Sequence, residues 1–266
     1  MKWLVPVLFV AAAPVAADVV PASRLDDLPS ADVVLLGEVH DNPHHHENQA
    51  RAVTALKPKA IVFEMLTPAQ AARATPEARH SAQALALATG WATSGWPDFS
   101  LYWPIFAAAP EAAIFGAGVK REDMAGLKEK GAAALFGAEA HRFGLDQPLP
   151  SDAQRAAEEE QRQAHCGMLP ASQLPAMLAV QQQRDRRMAE RLLAAPKPAM
   201  LLAGAFHVRR DLGVPLHIED LADMPVTVLM LAEVGERVSA EQADFVWYAP
   251  AQPEQDHCEQ LRQRGK

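Results

Sequence analysis

The chain has 266 residues, 49% of them hydrophobic, enough for one sizeable core or for a core with a smaller helical lobe. Twenty-five basic residues stand against thirty-three acidic ones, and the net charge of -8 repels a phosphate backbone, which argues against a nucleic-acid partner. Beyond the N-terminus no stretch reaches the roughly 18 to 20 apolar residues of a spanning helix, so the mature chain is expected to carry no transmembrane segment.

The first twenty residues read MKWLVPVLFVAAAPVAADVV. A lysine, an apolar run from Trp3 to Val10, and the small residues Val15-Ala16-Ala17 before Asp18 follow the order of a secretory signal peptide. Pro6 and Pro14 suit neither a buried strand nor a helix. The expectation is a signal over 1–17, a single domain over 18–266, and a periplasmic location. No cysteine lies near Ala17 to accept a lipid.

Short apolar runs bounded by Gly, Pro or charge predict strands at Val33 to Leu36, Ala60 to Glu64, Ala112 to Gly116, Ala199 to Ala203, Val226 to Leu231 and Phe245 to Tyr248. Their near-continuous hydrophobicity marks strands covered on both faces. Helices are predicted at Pro43 to Leu56, Pro68 to His80, Arg121 to Phe136, Ser151 to His165 and Ser172 to Ala194. The fold class is α/β: a mixed, mostly parallel sheet flanked by helices. An inserted helical lobe over about 120–195 is too long for one crossover. Two cysteines, Cys166 and Cys258, read as a disulfide in an oxidising compartment, with two separate buried thiols as the alternative.

Three strand ends carry chemistry. After VVLL come Gly37, Glu38, Val39 and His40, then Asn42 and Pro43 as helix cap and first helical residue, then His44, His45 and His46 in the first turn. Three consecutive helical positions point in different directions, so at most two of those rings face the site of His40. Glu64 closes a second apolar strand, where an ionised carboxylate must be paired, hydrogen-bonded or metal-bound; capping the helix at Thr67-Pro68 is its other reading. His207, Arg209 and Arg210 follow the third, LLAGAF. Tyr102, between Pro97 and Pro104, is expected in a loop from which a phenol reaches an open pocket. Arg184 and Asp185 sit in a polar stretch of a long helix, either solvated or facing the cleft.

The segments LLGEVHDNPHHHENQ, IVFEM, GWPDFSLYWP, HCGMLP, QQQRDRRMA, GAFHVRRDLGVP and DFVWYAP with DHCE together resemble the ChaN-like haem-binding family, in order and over nearly the whole mature chain. The family is in turn distantly similar to erythromycin-esterase-like and TraB/Tiki proteins. The resemblance implies an exported haem carrier or chaperone in iron acquisition, working with haem-uptake transport components. Ferric haem would be held by the phenolate of Tyr102, a hard anionic ligand suited to a hard ion. His207 would ligate or hydrogen-bond, with His40 in the pocket, and Arg209 and Arg210 would pair with propionates. Whether two chains form a homodimer around one site is left open. Family members are often lipoproteins, whereas no lipid-accepting cysteine follows the expected signal here, and the asparagine expected near Gly118 is not present. The alternative is a metal-dependent hydrolase in which Glu38, His40, Glu64 and His207 hold a divalent ion.

Overall fold

The computed structural model describes residues 15–21, 24, 28, 31–119, 151–219, 224–253, 258–259 and 262. The strands are β1 (Asp18–Val19), β2 (Val33–Glu38), β3 (Ala60–Phe63), β4 (Ala113–Gly116), β5 (Ala199–Gly204), β6 (Val226–Glu233) and β7 (Phe245–Ala249). They form one sheet in the order β1-β7-β6-β2-β5-β3-β4. Every strand pairing is parallel, and an antiparallel bridge between Ala16 and Ser239 makes the sheet mixed. That bridge and the Ala17 N–H bond to the Val238 carbonyl put the expected cleavage point inside a hydrogen-bonded segment. Residues 1–14 lie outside the described residues.

Continuous apolar strands split their side chains between two cores because successive residues point to opposite faces. Val34, Leu36, Ile61, Phe63, Met200, Leu202 and Leu229 pack on one face under the helices α1 (Pro43–Leu56) and α4 (Phe99–Ala108). Their neighbours Val33, Leu35, Val62, Leu201 and Val228 pack on the other, against Met188, Ala189 and Leu192 of α6 (Leu174–Ala194). Short helices complete this fold: α2 (Pro68–Ala71) and α3 (Ala82–Thr89) on the first side, α7 (Ala205–Val208) and α8 (Val214–Glu219) on the second. A third small cluster, Ala157, Leu174, Leu178 and Leu212, seats α5 (Ser151–Ala164). No described helix is long and apolar enough to cross a membrane.

Two helix expectations change. The run from Pro68 to His80 breaks after Ala71 and resumes only as a 3-10 turn at Ala78–His80, because Pro76 disfavours helix at the residue before it. Conversely, Tyr102 lies in α4 rather than in a loop. Asp98 caps this helix by accepting from the Ser100 N–H at 2.8 Å, and the helix continues through Pro104, its sixth residue, at the cost of one backbone hydrogen bond. The expected helix over Arg121–Phe136 lies outside the described residues, so the lobe is represented by α5 and α6. The disulfide forms: Cys166, just after α5, is bonded to Cys258, 92 residues on.

Candidate functional site

The chain lays down β2, then β3 and β4 outward, returns to place β5 between β2 and β3, and then crosses to β6 on the far side of β2. Such a reversal leaves a crevice beyond the carboxyl ends of the strands. Register brings the ends level: Glu38 pairs with Gly204, Phe63 pairs with Leu202, and the Glu64 N–H bonds to the Leu202 carbonyl.

At the end of β2, Glu38 is 2% exposed and fully engaged. One oxygen accepts from the Tyr102 hydroxyl at 2.8 Å and lies 2.7 Å from His40 Nδ1; the other accepts from Gln49. Burial raises the Glu38 pKa, but His40, with help from His46 and Gln49, wins and holds the carboxyl below its ordinary value. His40 is correspondingly raised: burial opposes its charge, yet Glu38 and Glu64 outweigh burial and the opposing Arg184.

The histidine triplet divides its work. Asn42 caps α1 by accepting from the His44 N–H at 3.0 Å, and its amide donates to Glu233 and to the Pro250 carbonyl. His44 stays at the surface beside Glu47. His45, wholly buried, accepts the Val39 N–H on Nδ1 at 2.9 Å. His46, 1% exposed, bonds through Nε2 to the His40 carbonyl at 2.8 Å and packs at a tilt against Tyr102 with ring centroids 4.3 Å apart. His45 and His46 therefore brace the turn that carries Glu38 and His40.

Glu64 belongs to the cluster, since Thr67 caps α2 with its own hydroxyl in a reciprocal box with Gln70. One Glu64 oxygen accepts the Gly204 N–H at 2.7 Å and lies 3.7 Å from His40 Nε2. The other pairs with Arg184 and lies 3.5 Å from His207 Nε2. Burial pushes this carboxyl up, but His207, Arg184 and His40 overcome it and bring the pKa down to about 2. His207 is held from behind by Asp185, Nδ1 to Oδ1 at 2.5 Å, both groups being buried. Thus α6 runs antiparallel to β5 and delivers Arg184 and Asp185, one to each partner.

The strand-end residues Glu38, His40, Glu64 and His207 are therefore one cluster, with Asp185, Arg184, His46 and Gln49 added. Asp185 and Gln49 carried only a weak sequence signal, polar residues within otherwise amphipathic helices. Tyr102 joins the cluster from below: it is 0% exposed, and burial, then the Glu38 charge, drives its phenol far above the usual 10. Tyr102, expected from sequence in a loop facing an open pocket, is wholly buried in α4. Arg209 and Arg210 are also directed elsewhere. Arg209 forks onto Asp211 at 2.9 and 2.7 Å and reaches Glu160; Arg210 forks onto Asp244 at 2.9 and 2.7 Å. These pairs fasten α5 and the loop before β7, and the propionate pairing expected from sequence would have to compete with them.

The described residues contain no group of three or more His, Cys, Asp or Glu side chains placed to hold a metal ion. The cluster opens at His40 and Arg184, whose side chains are 29% and 21% exposed, and the Trp96 ring lies against His40 with centroids 4.7 Å apart.

The sequence model described as haem-binding uptake, Tiki superfamily, ChaN matches residues 24–218, a span that includes every member of the cluster. Among solved structures, one reporting cofacial haem binding to ChaN of Campylobacter jejuni is 24% identical, with a TM-score of 0.68 over 84% of this chain and 89% of that one. The type III effector HopBA1 (13% identity, TM-score 0.47, 86% and 92% covered) and a Bacillus cereus protein (11%, 0.43, 83% and 72%) are more distant. No curated protein matches. With the match covering most of its length and the strand-end cluster inside it, the chain belongs to the haem-binding uptake family of ChaN.

Proposed function

We propose that the protein is exported and binds ferric haem as cargo in haem and iron acquisition. The observation that carries this reading is the family match over residues 24–218. Haem binding to the Campylobacter jejuni relative is cofacial, which makes a stacked pair between two chains the second stoichiometry to look for here. The surface offered to a flat, apolar, dianionic cargo is the opening at Trp96, His40 and Arg184: an indole for the porphyrin face and a guanidinium for a propionate. Iron ligation by Tyr102 with His207 assisting, the sequence expectation, would require breaking the buried Tyr102–Glu38 hydrogen bond. The proposal therefore gives Tyr102 the task of fixing Glu38.

Titration of the purified mature chain with ferric haem, followed by the Soret band and by native mass, tests both levels. Saturable binding at one haem per chain, or at two per dimer, is expected. Trp96→Ala should weaken it about tenfold, roughly the 1.4 kcal/mol of a lost aromatic contact, while Tyr102→Phe should leave the band in place. Absence of saturable binding would refute the function, and loss of the band in Tyr102→Phe alone would restore the phenolate as ligand.

A further inference from the structure

Among the described residues, little besides the disulfide holds α5 in place. Of its fourteen residues only Ala157 and Gln161 are buried, and the apolar contact beneath it is a cluster of four buried side chains, Ala157, Leu174, Leu178 and Leu212. A helix of this length is marginal in water without tertiary support. Cys166, in the turn after α5, has φ 54°, a left-handed backbone that glycine adopts freely and a cysteine only at a cost. Its bond to Cys258 pins that turn, and both cysteines are part exposed, within reach of a thiolate from solution. What α5 rests on is the loop that carries His207. Leu212 is in the small cluster and Phe206 packs against it, so residues on both sides of His207 are seated there, while Glu160 of α5 pairs with Arg209. The loop is tight as well: the Gly213 N–H bonds to the Arg209 carbonyl at 2.8 Å, and a Cβ on Gly213 would lie 2.2 Å from the His207 oxygen. A shift of α5 therefore moves 206–213 as one piece, and His207 faces Glu64, which holds Arg184 at the opening.

We propose that the Cys166–Cys258 disulfide is a redox clamp, opened by a dithiol of the compartment to which the chain is exported; its consequence for cargo rests on the proposed haem binding. One thiolate of the dithiol attacks a sulfur of the bond, and the other cysteine leaves as a thiolate. The second thiolate of the dithiol then breaks the mixed disulfide. Two electrons and two protons end on Cys166 and Cys258, and the dithiol departs as a disulfide. Oxidised, the clamp seats α5 and, through Glu160, Phe206 and Leu212, the loop of His207, and the opening keeps its haem. Reduced, the turn at Cys166 relaxes from its left-handed backbone, α5 loosens, Glu160 parts from Arg209, and haem leaves faster. The two cores of the sheet contain neither cysteine and stay folded in both states.

The test compares the mature chain oxidised with the same chain reduced by dithiothreitol and freed of it under nitrogen. Amide hydrogen exchange follows the backbone, and transfer of ferric haem to excess apomyoglobin follows the cargo. Reduction should raise exchange over 151–164 and 206–213 while β2, β5 and β6 stay protected, and should speed haem transfer tenfold or more. The double variant Cys166→Ser with Cys258→Ser should transfer haem at the reduced rate and ignore dithiothreitol. Glu160→Gln, which cuts the link to Arg209 and leaves the disulfide intact, should bring the oxidised protein part of the way to that rate; a staple that only stabilises the fold would not respond to this change. Exchange that rises in α5 without 206–213, strands that lose protection together with α5, or equal transfer rates in the two states would overturn the clamp. If neither state binds haem, the cargo reading falls, and exchange over 206–213 still decides whether the bond controls the loop.

Discussion

His45 should act as an acid fuse for the turn that carries Glu38 and His40. Its ring is completely buried, and burial, reinforced by His46, lowers its pKa from 6.5 to about 4, against the smaller upward pull of Glu38, Glu233 and the Ala232 carbonyl. Protonation would also place a second hydrogen where Nδ1 now accepts the Val39 N–H. A folded value below the unfolded one means the unfolded chain binds the proton first, so the stability is complete above pH 6.5 and falls as pH drops towards 4. Each tenfold difference in proton affinity is worth about 1.4 kcal/mol, which makes the loss across this window about 3 kcal/mol. That is a large fraction of the roughly 5 to 15 kcal/mol that holds a typical domain folded. Urea unfolding of the wild type and of His45→Asn, whose amide oxygen can still accept the Val39 N–H, should be measured from pH 7.5 to 4. Other titrating groups are common to both proteins and cancel in the difference. The wild type should lose about 3 kcal/mol relative to the variant over the window. Parallel curves would refute the reasoning.

Tyr102→Phe removes a buried donor to an ionised carboxylate and should cost about 1.5 to 3 kcal/mol in urea unfolding at pH 7; a change below 0.5 kcal/mol would show that Glu38 does not depend on the phenol. Gly37→Ala should destabilise by about 1 to 3 kcal/mol, since the new Cβ would lie 2.4 Å from Val208 Cγ2 in a packed interior; a variant with an unchanged melting temperature contradicts the packing of α7 on β2. Replacing both cysteines with serine opens a 92-residue loop and should cost about 4 kcal/mol by loop-closure entropy, read as a lower urea midpoint in the variant than in the oxidised wild type.

The sheet could be read from sequence because each strand is buried on both faces and so becomes a compact apolar word bounded by punctuation, as in VVLLGE and AMLLAG. The same property brought Glu38, Glu64 and His207 into view: a charged or imidazole residue directly after such a word must find a partner. Which partner is a matter of register and of helix placement, and neither is local. Arg184 and Asp185 reach Glu64 and His207 only because α6 returns antiparallel to β5. The loop expected around Tyr102 rested on its flanking prolines, yet Pro97 precedes the Asp98 cap and the helix continues through Pro104. For Arg209 and Arg210, neighbouring Asp211 and distant Asp244 outcompeted the site, and only the first of these was within sight of a local reading.

Strand order has a consequence for synthesis. β2, which carries Glu38, has β5 and β6 as its two neighbours, and these are made more than 160 residues later. A nascent chain that has emerged only as far as α6 already contains Glu38, His40, Glu64, Tyr102 and Asp185, but β2 has both edges bare. Such non-local pairing folds slowly and exposes apolar strands while it waits. The ribosome therefore delivers a sticky intermediate without a crevice, and no truncation that ends before β6 should retain even a fraction of the site.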